Sequence, residues 1–215
     1  MPRVAVFGGS FNPIHYGHLL LADEVLELLS LDRVLFVPAA VPPHKLGTEM
    51  APADDRAAMV RLATAGHPGF AVSDIELRRR GPSYTVDTLE ELAAGGDQLL
   101  LVIGSETFLD LLSWREPVRI ARLARLVIVP RVGSAFDPDG AAAQKVLREI
   151  GAPPFVQVEH PPVPAQGTVI VHATSLPISA SDLRSRVREG RSLAYRVPEA
   201  VVNYIAARGL YREAP

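Results

Sequence analysis

The sequence predicts an α/β fold, an open and mostly parallel sheet with helices on both faces. Short apolar runs alternate along the chain with longer segments in which apolar residues recur near the 3.6-residue period of a helix. Few hairpin signals separate these runs, so we expect successive strands to be joined by helices and to run parallel. The length of 215 residues fits a single domain, which we expect over 1–215.

Each predicted strand is a short apolar run, and a proline directly follows the second and the fifth. The fourth is apolar throughout, as expected of a central strand that is buried on both faces. The predicted strands are Val4–Phe7, Val34–Val37, a strand that begins in Ala71–Asp74, Leu99–Ile103, Leu126–Val129, Phe155–Val158 and Val169–His172.

The helices are predicted from apolar stripes and from residues that start or stop a helix. The last one begins at Pro198, which suits a first helical turn, and Gly209 stops it. The first predicted helix carries an apolar stripe formed by Leu20, Leu21, Val25, Leu28 and Leu29. The predicted helices are Gly17–Leu29, Asp54–Ala65, Thr85–Ala94, Thr107–Ser113, Val118–Ala124, Gly140–Glu149, one that begins near Ser179, and Pro198–Arg208.

Two segments stand apart from this alternation. Prolines and glycines punctuate residues 131–167, which we interpret as a peripheral excursion from the domain because the segment still contains a predicted helix and strand. Residues 178–212 form a small C-terminal helical part. The predicted architecture is therefore Rossmann-like, with one excursion and one helical extension.

The composition excludes several classes of protein. With 22 Lys+Arg, 24 Asp+Glu and a net charge of −2, the chain lacks the basic excess of a nucleic-acid binder. It has no cysteine, which excludes a disulfide scaffold, a zinc-thiolate site and a cysteine nucleophile. Leu99–Ile103 is far shorter than the roughly 20 residues that span a bilayer, and the first apolar run is too short for a signal peptide. We expect a cytoplasmic protein that binds neither nucleic acid nor membrane, and leave open whether it forms a homo-oligomer.

The turn between the first predicted strand and helix carries G-G-S-F-N-P-I-H-Y-G-H at residues 8–18. An open α/β sheet binds its ligand at such a turn, where glycines let the backbone approach an anion and a helix N-terminus favours negative charge. It is neither a Walker loop nor a G-x-G-x-x-G fingerprint. His15 and His18 share one helix face, so they would donate to phosphate or bind a metal, although a zinc site would lack further ligands.

A second segment suited to phosphate is I-S-A-S-D-L-R at residues 178–184. Ser179, followed three residues later by Asp182, resembles a capping box whose acid is one carbon shorter, which predicts another helix N-terminus. Ser179, Ser181 and Arg184 would then face a polyphosphate. The alternative is that Ser179 only caps the helix and Arg184 is solvated.

The first motif resembles the H-x-G-H signature of a nucleotidyltransferase superfamily, whose members transfer a nucleotidyl group to a phosphate or an acid. Class I aminoacyl-tRNA synthetases have a related histidine pair, but their K-M-S-K-S loop is absent here. From about Arg3 to Arg212 the chain is similar to bacterial nicotinate-mononucleotide adenylyltransferases. The similarity rests on V-P-P-H-K at 41–45, R-G-P-S-Y-T at 80–85, I-G-S-E at 103–106, Trp114, V-P-E-A-V at 197–201 and G-L-Y-R at 209–212.

This resemblance implies transfer of AMP from ATP to nicotinate mononucleotide by direct in-line attack, with Mg²⁺ held mainly by the ATP phosphates. The implied catalytic residues are His15, His18 and Arg184. The implied ATP site comprises Gly8, Gly9, Ser10, Phe11, His15, His18, Gly104, Glu106, Ser179, Ser181 and Arg184. The implied acceptor site comprises Lys45, Thr85, Glu106 and Trp114.

Three positions depart from the pattern of many relatives, and two rival functions stay open. Ser10 replaces a threonine and keeps its hydroxyl, Glu106 replaces an aspartate and keeps its charge, and Asn12 replaces an aspartate without its charge. One rival is an adenylyltransferase for nicotinamide mononucleotide or for phosphopantetheine. The other is a non-catalytic nucleotide-sensing module, since a fold does not fix a function.

Overall fold

A computed structural model describes residues 1–42, 50–131, 133–159, 161 and 166–212. The strands found in this part of the chain are β1 (Arg3–Gly9), β2 (Arg33–Pro38), β3 (Phe70–Val72), β4 (Gln98–Gly104), β5 (Arg125–Val129), β6 (Phe155–Val158) and β7 (Thr168–Val171). They form one sheet in the order β3-β2-β1-β4-β5-β7-β6, and every neighbouring pair is parallel.

In the described part of the chain, a helix follows every strand except β6. The helices in this part are α1 (Tyr16–Leu28), α2 (Ala53–Thr64), α3 (Ile75–Arg78), α4 (Thr85–Ala93), α5 (Ser105–Leu109), α6 (Pro117–Leu123), α7 (Ala141–Ile150), α8 (Ala180–Arg188) and α9 (Glu199–Arg208). A short 3₁₀ helix, Leu111–Ser113, follows α5. The C-terminal stop of α9 lies at Gly209, whose φ of +63° places it in the left-handed region that favours glycine.

The sheet separates two apolar cores because successive strand residues point to opposite faces. In β1, Ala5 packs in one core, and Val4 and Val6 pack in the other. Helices α1, α2, α8 and α9 cover the first face, and α3 to α7 cover the second. The predicted α/β class, with helices on both faces of a parallel sheet, is therefore confirmed.

The segment expected to be a peripheral excursion contributes to both the sheet and its cover. Its helix α7 buries Val146, Leu147 and Ile150 in the second core. Its strand β6 pairs with β7, Val156 facing Val169, and forms one edge of the sheet. The described part of 131–167 thus packs as an edge unit of the same sheet.

Two element predictions have the wrong extent. The helix predicted over Thr107–Ser113 is divided between α5, which ends at Leu109, and the 3₁₀ helix Leu111–Ser113. The strand expected to begin in Ala71–Asp74 ends at Val72, and Asp74 is the N-cap of the one-turn helix α3. The N–H of Ser73 still donates to the carbonyl of Phe36 at 2.9 Å, after which the chain turns away from the sheet. A helix of four residues is too short to show a 3.6-residue period, so the sequence pattern did not reveal it.

The strand order places a crevice beside β1. From β1 the chain builds outward through β2 and β3 on one side, whereas β4 joins β1 on the other side. Open α/β sheets bind ligands at the carboxyl ends of the strands where the order reverses in this way. The 8–18 turn follows β1 at this point.

Candidate active site

A cleft of about 890 Å³ opens at the carboxyl ends of β1, β4 and β5. Its walls include the 8–18 turn, the end of β4, the start of α4, residues 113–115 and residues 173–180. The site residues expected from the sequence that line the cleft are Gly8, Gly9, Ser10, Phe11, His15, His18, Thr85, Gly104, Trp114 and Ser179. Residues that are far apart in the sequence therefore meet at one surface.

The two glycines at the end of β1 have different surroundings. A Cβ built on Gly9 would lie 3.1 Å from the ring of Phe11, so a side chain there would displace that ring. A Cβ on Gly8 would meet nothing within 4 Å. Because Gly8 lines the cleft, its missing side chain leaves room for a bound group to approach the backbone.

The histidine pair lies at the start of α1. His15 is the N-cap, and its ring stacks on that of His18 with centroids 3.7 Å apart and planes at 24°. The backbone N–H of His15 donates to Nδ1 of His18 at 3.3 Å. A ring whose Nδ1 accepts a hydrogen bond carries its proton on Nε2, so Nε2 of His18 is a hydrogen-bond donor.

His15 is held neutral at physiological pH. It is 7% exposed, and burial lowers its pKa from 6.5 to about 4, with the positive charge of Arg131 contributing in the same direction. A Cβ at Gly17 would lie 3.1 Å from both Cε1 and Nδ1 of His15. The glycine between the two histidines therefore makes the space in which the His15 ring sits.

At the other side of the cleft, α4 begins with its N-terminus free of a side-chain cap. Tyr84 is the N-cap residue and Thr85 the first helical residue. The hydroxyl of Ser83 accepts the N–H groups of Ala40 and Val41 at 3.0 and 3.2 Å, which fixes the start of α4 against the segment after β2. The first amides of an uncapped helix attract anions.

Aromatic and charged side chains surround this helix start. Trp114 lines the cleft, and the guanidinium carbon of Arg115 lies 4.8 Å from the ring centroid of Tyr84. Glu76 is buried against α4, where it accepts the hydroxyl of Thr88 at 2.8 Å. Burial raises the pKa of this carboxyl group.

Three expected site residues are not among the cleft-lining residues. Glu106 is exposed, with Oε2 4.0 Å from Nε of Arg131. Ser181 lies beside Ser179, their hydroxyls 3.2 Å apart. Arg184 donates from Nη1 to the carbonyl of Asn12 at 2.8 Å.

The structure confirms the predicted cap of α8. The hydroxyl of Ser179 accepts the N–H of Asp182 at 3.2 Å at the start of α8. Lys45 lies outside the described residues.

Arg131 is a cleft residue that sequence reasoning did not select. It follows β5 after Pro130, lines the cleft, and its side chain is 80% exposed. The available signal was positional, because a cation within two residues of the end of a predicted parallel strand lies at the ligand-binding edge of the sheet.

Two further observations concern metals and membranes. Over the ranges the model describes, no group of three or more His, Cys, Asp or Glu side chains is arranged to hold a metal ion. No helix in those same ranges is long and apolar enough to cross a bilayer.

Comparison with known proteins places the chain in a family. A family model described as cytidylyltransferase-like matches residues 6–186. A protein of Roseiflexus sp. (strain RS-1), named "Probable nicotinate-nucleotide adenylyltransferase", is 45% identical over 210 residues, which cover 97% of this chain and 98% of the relative. The chain belongs to the nicotinate-nucleotide adenylyltransferase family. A second member of this family, from Thermomicrobium roseum, is 42% identical over 214 residues, covering 99% of this chain and 92% of its own.

Solved structures carry the same fold as this member of the nicotinate-nucleotide adenylyltransferase family. Plasmodium falciparum nicotinic acid mononucleotide adenylyltransferase complexed with NaAD superposes with a TM-score of 0.72 at 18% identity, covering 98% of each chain. The same enzyme complexed with APC superposes with a TM-score of 0.70 at 17% identity, again over 98% of each chain. At such low identity the similarity establishes the Rossmann-like α/β fold.

Proposed function

We propose that the chain transfers AMP from ATP to nicotinate mononucleotide, giving deamido-NAD and pyrophosphate in NAD biosynthesis. The observation that carries the proposal is the single cleft that joins the stacked His15–His18 pair to the uncapped start of α4 and Trp114. The histidine side of the cleft suits a polyphosphate, and the side formed by Trp114 and the start of α4 suits an anionic aromatic ring. The names of the bacterial relatives and the NaAD complex of the structural neighbour support the same assignment.

ATP is proposed to bind over the 8–18 turn. Gly8 gives the phosphates access to the backbone, and His15 and His18 lie at the wall of the cleft. Ser179 and Ser181 lie at the N-terminus of α8, where the helix dipole favours negative charge. Arg184 adds positive charge from behind the turn, through its bond to the carbonyl of Asn12. Gly104 and Glu106, at the end of β4, are proposed to lie near a ribose.

The acceptor is proposed to bind at the start of α4. Thr85 lies in the first turn of α4, whose backbone amides suit the nicotinate carboxylate. The Trp114 indole provides a face for the electron-poor pyridinium ring. Lys45 is proposed to contact the phosphate of the mononucleotide.

The reaction needs positioning and charge stabilisation more than proton transfer. The phosphate of a mononucleotide has its second pKa at about 6, so it is largely dianionic at neutral pH and needs no general base. One of its oxygens bonds to the α-phosphorus of ATP while the bond from that phosphorus to the bridging oxygen breaks and pyrophosphate leaves. Neutral His15 and the Nε2–H of His18 are proposed to donate to the α-phosphate oxygens as their charge redistributes.

Mg²⁺ is proposed to arrive with ATP. When bound, it neutralises charge on the polyphosphate, its ligands being mainly phosphate oxygens. This fits the lining of the cleft, where His15, His18 and Arg131 offer hydrogen-bond donors and positive charge to a polyphosphate. We also propose that the chain acts in the cytoplasm on small nucleotides, without nucleic acid or membrane as a partner.

The test is acceptor selection by the purified protein. It is incubated with Mg·ATP and, in separate reactions, nicotinate mononucleotide, nicotinamide mononucleotide and phosphopantetheine, and both pyrophosphate and the adenylylated product are measured. We expect rapid product formation with nicotinate mononucleotide. Product only with phosphopantetheine, or only with the amide, would replace the proposed acceptor. ATP binding without pyrophosphate release from any acceptor would favour the nucleotide-sensing alternative.

A further inference from the structure

The backbone of residues 10–12 is held from behind by side chains outside the cleft. Arg56 is 1% exposed, and its Nη1 donates to the carbonyl of Ser10 at 2.7 Å and to that of Ala39 at 2.6 Å. Its Nη2 donates to the carbonyl of Ala40 at 3.0 Å, and its Nε donates to the carbonyl of Ala51 at 2.9 Å. One guanidinium group thus joins the turn after β1 to the segment after β2 and to the segment before α2.

Asn12 is the second point at which this turn is held. It is 5% exposed, and its Oδ1 accepts the N–H of Ala51 at 3.1 Å and the hydroxyl of Tyr211 at 2.8 Å. Its main-chain carbonyl accepts Nη1 of Arg184 at 2.8 Å. Asn12 therefore connects the ATP-side turn to the C-terminal end of the described chain, 199 residues away.

These bonds matter because Ser10, Phe11 and Asn12 line the cleft. A carbonyl oxygen carries partial negative charge and would repel a bound phosphate. The Ser10 and Asn12 carbonyls are both engaged by guanidinium donors. Rotation of either peptide toward the cleft would break a charge-assisted hydrogen bond, so these donors hold the turn in a form compatible with an anion.

Tyr211 is anchored independently of the cleft. It lies two residues after Gly209 and has a φ of +64°, a left-handed backbone conformation that is unfavourable for a residue with a side chain. Burial raises the pKa of its hydroxyl, so it remains a donor. The preceding helix α9 docks on α2 through Asp55, whose Oδ1 accepts the hydroxyl of Tyr204 at 2.8 Å and Nε of Arg208 at 3.0 Å.

We infer that Tyr211 is a positioning residue for the ATP site, acting through the Asn12 side chain on the backbone of residues 10–12. It touches neither substrate nor reacting atoms in this role. The inference rests on the proposed function only in taking ATP as the ligand of that turn. It adds that the C-terminal turn after α9 tunes the site, through one hydroxyl.

Tyr211→Phe and Tyr204→Phe form a matched pair for the test. Each removes one hydroxyl that makes a 2.8 Å bond to a buried polar side chain, but only Tyr211 contacts the 10–12 turn. The loss of either bond should lower the melting temperature by a few degrees, so the two variants are compared by ATP binding and turnover rather than by stability. Mg·ATP affinity is measured by calorimetry with ATP alone, and steady-state kinetics are measured well below both melting temperatures.

For Tyr211→Phe we expect kcat to fall about tenfold, since misplaced phosphate-binding groups slow the reaction. We also expect weaker Mg·ATP binding and a KM for nicotinate mononucleotide within about twofold of the parent value. Tyr204→Phe should match the parent in kcat, in Mg·ATP affinity and in KM for nicotinate mononucleotide. Parent-like ATP affinity and kcat in Tyr211→Phe would overturn the inference, and so would equal losses in both variants. If the parent binds ATP but fails to use nicotinate mononucleotide, the proposed acceptor fails while the ATP-affinity comparison still decides the role of Tyr211.

Discussion

The burial of His15 predicts a specific dependence of stability on pH. Its pKa falls from 6.5 to about 4 on folding, chiefly because the ring is desolvated. Between these values the unfolded chain binds a proton that the folded chain does not, so the free energy of unfolding falls as pH falls through this window. At about 1.4 kcal/mol per pKa unit, the full loss is about 3 kcal/mol, of which about 2 kcal/mol occurs between about pH 8 and pH 5.

The comparison that isolates this effect is between the parent and His15→Gln, whose side chain does not titrate. Urea unfolding gives the free energy of unfolding of both proteins at about pH 8 and pH 5, and the titrating groups that do not contact His15 cancel in the difference. We expect the stability of the parent relative to the variant to decrease by about 2 kcal/mol from the higher pH to the lower. A constant difference across the window would refute the assignment of a neutral, desolvated His15.

Three substitutions test the turn and the arginine that holds it. His18→Ala should lower kcat by roughly 10²–10³, the range for one preorganised donor, and near-normal turnover would remove His18 from the proposed mechanism. Gly17→Ala should leave urea stability within about 1 kcal/mol, since alanine favours the helix, but lower kcat because its Cβ would lie 3.1 Å from the His15 ring. Arg56→Lys should lower the free energy of unfolding by about 3 kcal/mol, since an ammonium group leaves buried carbonyls unpaired, and a loss under about 1 kcal/mol in urea unfolding would contradict this.

The fold class could be read from the sequence because buried parallel strands and amphipathic helices have distinct apolar patterns. Leu99–Ile103 is apolar throughout, and its counterpart β4 is the central strand of the described sheet. Where an element has too few residues to show a period, the pattern fails, as at α3. The segment 131–167 shows a second limit, because punctuation by proline and glycine does not reveal that β6 pairs with β7.

The location of the candidate site was also predictable, since the turn after the first strand and the second helix N-terminus carry local signals. The structure brings residues from both segments to one cleft. The roles of the individual residues stay predictions. The contacts of Arg56 and Tyr211 with the turn could not be predicted, because they join residues 46 and 199 positions apart and depend on how α2 and α9 pack.

The arrangement behind the turn explains how a chain of net charge −2 could present the proposed anion site. Arg56 is buried and donates hydrogen bonds to four main-chain carbonyls, and Arg184 donates one to a fifth. The charge of the buried Arg56 acts on the cleft through the backbone, where little water screens it. The planar fork of arginine reaches several carbonyls at once, which the compact ammonium of lysine does not. Neither the net charge nor a count of exposed cations reveals such a site. Substitutions at Tyr211 and Arg56 should therefore act on the site by changing the conformation of the turn, not by changing the number of arginines.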